Sequence, residues 1–248
     1  MRRYLYDGSF PGLLTVLHIL IEEETEPENI VVDGKERQES LFGSDVYVDA
    51  DAERVEDMSS GICRRMGDRA LRRLFHAFLS DEEGREYGIY RCVSLGWEMG
   101  KGVEALAGDE HVSTVMRLSR ATGREAHRMC GFLRFRELEG GVYYAPMETA
   151  CDVLCLVAPY FTRRMGGQDW IIHDLGREQA ALFIERRLSL CGLPAFAPNL
   201  SPSEHAYQGM WKDYFKTIAV EGRTNPRLQK SLMPAKFWNM LVEEPGHR

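Results

Sequence analysis

The chain has 248 residues, a 44% hydrophobic and 28% charged composition and a formal net charge of −7. That length can bury a real core in one large or two small domains, and the composition is that of an ordinary globular protein. The acidic total excludes a protein that coats nucleic acid indiscriminately, and no apolar run approaches the roughly 18 residues of a transmembrane helix.

In chain order, Arg3-Tyr-Leu-Tyr6 reads as a short strand ending at the turn Asp7-Gly8. Ser9 is placed to cap a helix with Pro11 just inside it, and Leu13, Leu14, Val16, Leu17, Leu20 and Ile21 give that helix its period. An acidic, proline-containing loop follows from Glu22 to Asn29, and a second strand falls within Leu41 to Val48. Residues Ala52 to Leu79 are helical in pattern, with Gly61 and Gly67 as interruptions; Tyr87 to Lys101 and Glu110 to Met129 continue it. The middle of the chain therefore reads as a helical bundle.

The texture changes at Gly131. Phe132 to Leu138 alternates apolar with charged residues, Glu139-Gly140-Gly141 is a hairpin turn, and Val142 to Ala145 is the returning strand. Residues 149 to 165 are helical despite Pro159, stopped by Gly166-Gly167, and Trp170 to Leu175 and Gln179 to Ile184 form a further strand pair. Ser201, Pro202 and Glu204 form a capping box that opens the helical tail. The expected fold is α+β, with a helical N-terminal half and a small antiparallel sheet with packed helices in the C-terminal half. Its regions are 1–130, an N-terminal strand plus mainly helical part, and 131–248, an α+β part with a helical tail, together one compact unit.

The N-terminus lacks the apolar segment of a secretory signal, which points to a cytoplasmic chain. The six cysteines contain no C-x-x-C pair and read as reduced thiols; Cys151 and Cys155 are four apart, sharing a face if both are helical. No P-loop, G-x-S-x-G, H-E-x-x-H, dinucleotide-binding or zinc-deaminase motif is present, and neither a metal nor a cofactor is expected.

Three motifs recur in order: Tyr6-Asp7-Gly8-Ser9-Phe10, Gly131-Phe132-Leu133-Arg134-Phe135, and a tail from Trp211 to Trp238 that mixes aromatic and basic residues. Together they resemble, over essentially the whole chain, a bacterial family of unknown biochemical function associated with DNA repair or DNA metabolism. The resemblance implies a companion of a radical-SAM protein acting on DNA. Some relatives carry a uracil-DNA glycosylase-type domain on the same chain, an activity not expected of this one. In that family a His-Phe pair is followed by Arg-Phe and then by Asp and Arg three apart. The matching residues here are Tyr160-Phe161, Arg164-Met165, Asp174 and Arg177, with Tyr160 replacing the histidine and Met165 the second phenylalanine.

Candidate site residues follow from charge and spacing. Acidic residues dominate the first 58 positions, whereas arginine and lysine outnumber them between 117 and 240. Arg134 and Arg136, two apart on the expected strand, would project from one face toward phosphate; the bland alternative is a solvated face balanced by Glu137 and Glu139. Arg163 and Arg164 close a helix C-terminus, where the macrodipole favours cations in any case. Asp174 and Arg177 read first as a structural ion pair; Asp174 as a catalytic base or metal ligand is the weaker alternative. His173, adjacent on the strand, faces the other way. In the tail, Trp211, Tyr214 and Phe215 have helical spacing that suits either core packing or base stacking, with Arg223, Lys230 and Trp238 further along. Asn225-Pro226 would cap a short helix.

The expected function is a nucleic-acid-binding accessory of DNA repair, with Arg134, Arg136, Arg164, Arg177, Trp211, Arg223, Asn225, Lys230 and Trp238 as its contacts. The alternatives are an enzyme acting on damaged or modified nucleotides through Asp174, and a scaffold that binds only its protein partner. No membrane association is expected.

Overall fold

A computed structural model describes residues 2–34, 44–106, 108–218 and 225–242. The chain divides into two compact units, Met1–Gly123 and Arg124–Arg248.

In the first unit, β1 (Arg2–Tyr6) lies between β2 (Asn29–Val32) and β3 (Ser44–Val48), and both neighbours run parallel to it. Parallel strands need crossovers, and α1 (Phe10–Glu22) supplies the first. The β1–α1 junction is built from short polar side chains. Ser9 Oγ accepts the Gly12 amide at 3.0 Å, and Asp7 Oδ1 accepts both the amide and the hydroxyl of Ser9. The helix then buries Leu13, Leu14, Val16, Leu17 and Leu20. Asp51 caps α2 (Ala52–Met66), accepting the Arg54 amide. Gly67, at φ +93°, separates α2 from α3 (Asp68–Phe78); α4 (Arg85–Met99) and α5 (Glu110–Phe132) complete the helices, and the division between units falls within α5.

One expectation for this half is corrected, one strand forms, and one strand is new. Gly61 does not interrupt its helix. Residues 41–43 of the expected second strand lie outside the described residues, while 44–48 form β3. Beside β1 stands the unexpected β2, whose Ile30 and Val31 are buried consecutively. A strand covered on both faces shows no alternation to read.

The second unit is a five-stranded sheet in the order β4 (Arg136–Glu137), β5 (Tyr143–Met147), β6 (Trp170–Asp174), β7 (Gln179–Ile184), β8 (Arg187–Gly192). The α+β class holds, but the sheet is mixed. The β5–β6 pair is parallel, because α6 (Leu154–Arg164) carries the chain back between them, and the other pairs are antiparallel. One face of the sheet carries Ala145, Met147, Trp170, Ile172, Ala181 and Phe183 into a core with Val157, Phe161 and Phe237. Trp170 and Phe183 stack at 5.5 Å between ring centroids.

The strand expected over Phe132 to Leu138 is mostly something else. Helix α5 runs through Phe132, leaving only Arg136–Glu137 as strand. Arg134 Nη1 donates to the Gly131 and Phe132 carbonyls, at 2.9 and 3.3 Å, and so satisfies acceptors the helix end leaves open. Cys151 precedes α6 and does not share a helix face with Cys155; its amide donates to the buried Glu125 carboxylate at 2.8 Å.

The tail opens with α7 (Pro202–Ile218), followed by α8 (Pro226–Leu232) and a 3₁₀ turn at Ala235–Met240. Half of the capping box forms: the Glu204 amide donates to Ser201 Oγ at 3.1 Å. The other half is redirected. Glu204 Oε2 accepts the backbone amide of Glu137 on β4, and Glu137 Oε2 accepts the hydroxyls of Ser201 and Ser203. This exchange ties the first turn of α7 to the sheet.

Candidate functional site

Asp174 is fully buried at the end of β6, and its carboxylate is committed. Oδ1 accepts the amides of Gly176 and Arg177 in a tight turn, and Oδ2 accepts Arg177 Nη1 at 3.1 Å. The same guanidinium donates to the Thr149 and Ala150 carbonyls, so Arg177 bridges two loops from one charge. The pair expected from the sequence forms, and its geometry is that of a clasp.

His173, also buried, lies between Tyr144 and the Leu193 carbonyl. A carbonyl only accepts, so Nε2 carries the proton and Nδ1 accepts the Tyr144 hydroxyl at 3.0 Å. Burial pushes the Tyr144 phenol above its ordinary range, keeping it a donor. Both side chains support the sheet.

The cations expected to hold phosphate fall into separate groups. Arg134 and Arg177 are turned to backbone carbonyls, as described. Arg136 is half-buried on β4 opposite Tyr144, and its Nε is buried without a hydrogen-bond partner among the described residues. Arg223 lies outside the described residues, and Lys230 contributes only its backbone, in α8, to what is described. Asn225 does cap α8: its Oδ1 accepts the Leu228 amide at 3.0 Å. Trp238 is half-buried, with Nε1 donating to the Met233 carbonyl, which makes it a packing group.

Arg164 stands differently. It is exposed with Arg163 at the end of α6, just before Gly166-Gly167. The tip of the β7–β8 hairpin comes to the same place: the Glu185 amide donates to Asp169 Oδ1, and Arg186 Nη2 lies 3.6 Å from where a Cβ on Gly167 would stand. Arg186 and its neighbour Arg187 are exposed as well. None of Arg163, Arg164, Arg186 or Arg187 is in an ion pair among the described residues. The acids nearest in the chain are Asp169 and Glu185. Sequence reading missed Arg186 and Arg187, because the turn is made of Glu185 and Arg186, both at positive φ, and not of Gly or Asn. The three charged residues between the apolar runs ending at Ile184 and starting at Leu188 were the available signal.

The tail aromatics are the second exposed feature. Trp211 is 44% exposed and Tyr214 55%, and Tyr207, Met210, Phe215 and Ile218 extend the same stripe of α7. The core-packing alternative for these residues is thereby corrected. The sequence spacing is the same for a covered stripe and an open one. A cleft of the first unit, of about 470 Å³, is lined by Asp81, Glu82, Glu83 and Glu86 with a single Arg85 and does not suit an anion.

These features define an α+β protein whose second unit presents a group of arginines at one end and an aromatic helix stripe. Its sequence matches the family described as Domain of unknown function DUF4130 over residues 83–243, and the chain belongs to that family. No curated protein matches it.

Proposed function

We propose that this protein is a nucleic-acid-binding accessory of DNA repair or modification, working with a radical-SAM partner. The observation that supports binding is the exposure of Arg163, Arg164 and Arg186 at one end of the second unit, with no carboxylate paired to any of them among the described residues. Guanidinium groups held by a helix end and a tight hairpin suit phosphate oxygens, which they meet with two parallel donors. The repair setting and the partner rest on the motif resemblance alone.

Fluorescence anisotropy of labelled single- and double-stranded DNA across a salt series tests the reading. Binding should weaken steeply with salt. The combined Arg163→Ala, Arg164→Ala, Arg186→Ala variant should flatten the log–log slope by roughly 0.7 to 0.9 for each phosphate it no longer neutralises. Unchanged affinity in that variant, or no binding at low salt, removes the reading.

A scaffold that binds only protein is the second reading, and the apolar stripe of α7 favours it. Exposed aliphatic and aromatic groups on one helix face suit a protein groove. An enzyme centred on Asp174 has no such support, since both carboxylate oxygens are taken up by the Arg177 clasp.

A further inference from the structure

Strand β8 ends the five-stranded sheet, and all six of its residues are exposed. Proteins blunt such edges with Lys, Pro, a bulge or an inward charge. The run Leu188-Ser-Leu-Cys-Gly192 contains none of these residue types, and its pairing with β7 is unbroken from Ile184–Arg187 to Gln179–Gly192.

The hairpin dictates which backbone groups are open. Glu185 and Arg186 both have positive φ, 50° and 65°, the conformation of a two-residue type I′ turn. In such a hairpin the flanking residues, Ile184 and Arg187, exchange both of their hydrogen bonds. Arg187, Ser189 and Cys191 therefore turn their amides and carbonyls to β7, while Leu188, Leu190 and Gly192 present theirs outward. Side chains add an apolar fringe. Leu188 and Leu190 pair with Phe183 and Ala181, both in the core, yet they are 41% and 56% exposed. The buried face of the sheet thus continues onto a strand whose residues all remain exposed.

We infer that β8 is a homodimer interface, paired antiparallel with β8 of a second copy about a two-fold axis at Leu190. Charge selects this occupant. The hairpin end of β8 carries Arg187, and the far end lies beside the exposed Glu178, whose carbonyl accepts the Leu193 amide. Glu178 stands at positive φ just before β7, so its exposed side chain lies at the far end of β8, the end away from Arg187. Antiparallel pairing about Leu190 brings the Arg187 end of each copy to the Glu178 end of the other. The axis makes this match twice, as an isologous contact requires. It also places Leu190 against its own counterpart and Ser189 opposite Cys191 of the second copy. That last pair is not hydrogen-bonded, the type in which side chains approach most closely. The inference is independent of the nucleic-acid reading, which does not use Leu188, Leu190 or Glu178.

Light scattering after size exclusion, over a rising concentration series, is the test. The wild-type chain should reach twice its monomer mass. Leu190→Lys, which sets two cations together at the axis, should remain monomeric with an unchanged far-UV circular dichroism spectrum. A second variant gives a positive signal that does not depend on that one. Ser189→Cys, treated with oxidised glutathione, should form a dimer on a non-reducing gel through Cys191 of the other copy, and adding Cys191→Ser should abolish it. A wild-type monomer at every concentration overturns the inference. So does a Leu190→Lys dimer, which would move self-association to another surface such as the α7 stripe.

Discussion

Arg177 holds Asp174 at 3.1 Å, and the aspartate side chain is wholly enclosed while the arginine remains 18% exposed. One member of the pair has no access to water, so neither can be neutralised without leaving the other poorly compensated.

Asp174→Asn should therefore act on the fold before it acts on any activity. Removing one partner of a buried pair costs about 3 kcal/mol or more. Urea denaturation should report a midpoint shift of that size, and Arg177→Ala should match it because the Thr149 and Ala150 carbonyls also lose their donor. An Asp174→Asn protein of wild-type stability would count against the clasp.

Acid should loosen the junction between β4 and α7. Hydrogen bonds from Ser203 and then Ser201 hold the Glu137 carboxyl below its ordinary value of 4.5. Unfolded, Glu137 takes its proton near 4.5, while folded it resists to lower pH. Its stabilising contribution is complete above 4.5 and disappears as pH falls through the folded value. Thermal midpoints measured down an acid series should fall less steeply in Glu137→Gln than in wild type.

The thiols should separate by reactivity. Burial, reinforced by Asp152, pushes the Cys155 thiol up to about 11, so it stays protonated in neutral buffer. Cys63 and Cys130 are raised too, chiefly by burial, whereas Cys191 is the exposed one of the six. Ellman's reagent on the monomeric chain should show one fast thiol, absent in Cys191→Ser.

Gly12 should not tolerate alanine. A Cβ there would stand 2.2 Å from Asp7 Oδ1 and 3.0 Å from the Tyr6 ring, inside the network that starts α1. Gly12→Ala should destabilise by about 1–3 kcal/mol, the usual range for overpacking, in a chemical melt. Gly131→Ala, with open space around its Cβ position, serves as the control.

Legibility in the sequence followed locality. The caps at Ser9 and Asn225, the hairpin at Gly140-Gly141 and the Asp174–Arg177 pair each depend on residues within four positions, and each forms. Strand β2 escaped because burial on both faces removes the alternation that marks a strand. The Arg134–Arg136 pairing failed because it depended on where α5 stops, and α5 runs through Phe132 with Arg134 reaching back to its carbonyls. Arg186 joined Arg164 only through the sheet register that brings Phe183 beside Trp170, a pairing no local pattern encodes.

Beyond its first turn, every described side chain of α7 is exposed except the half-buried Gln208 and Lys212. A helix of about a dozen residues with so little tertiary support is marginal in water. Its amides should then exchange with solvent deuterium along a gradient, slow beside Ser201 and fast toward Ile218. Anything that covers Trp211 and Tyr214 would level that gradient, so the helix doubles as a label-free gauge of whether the protein is alone.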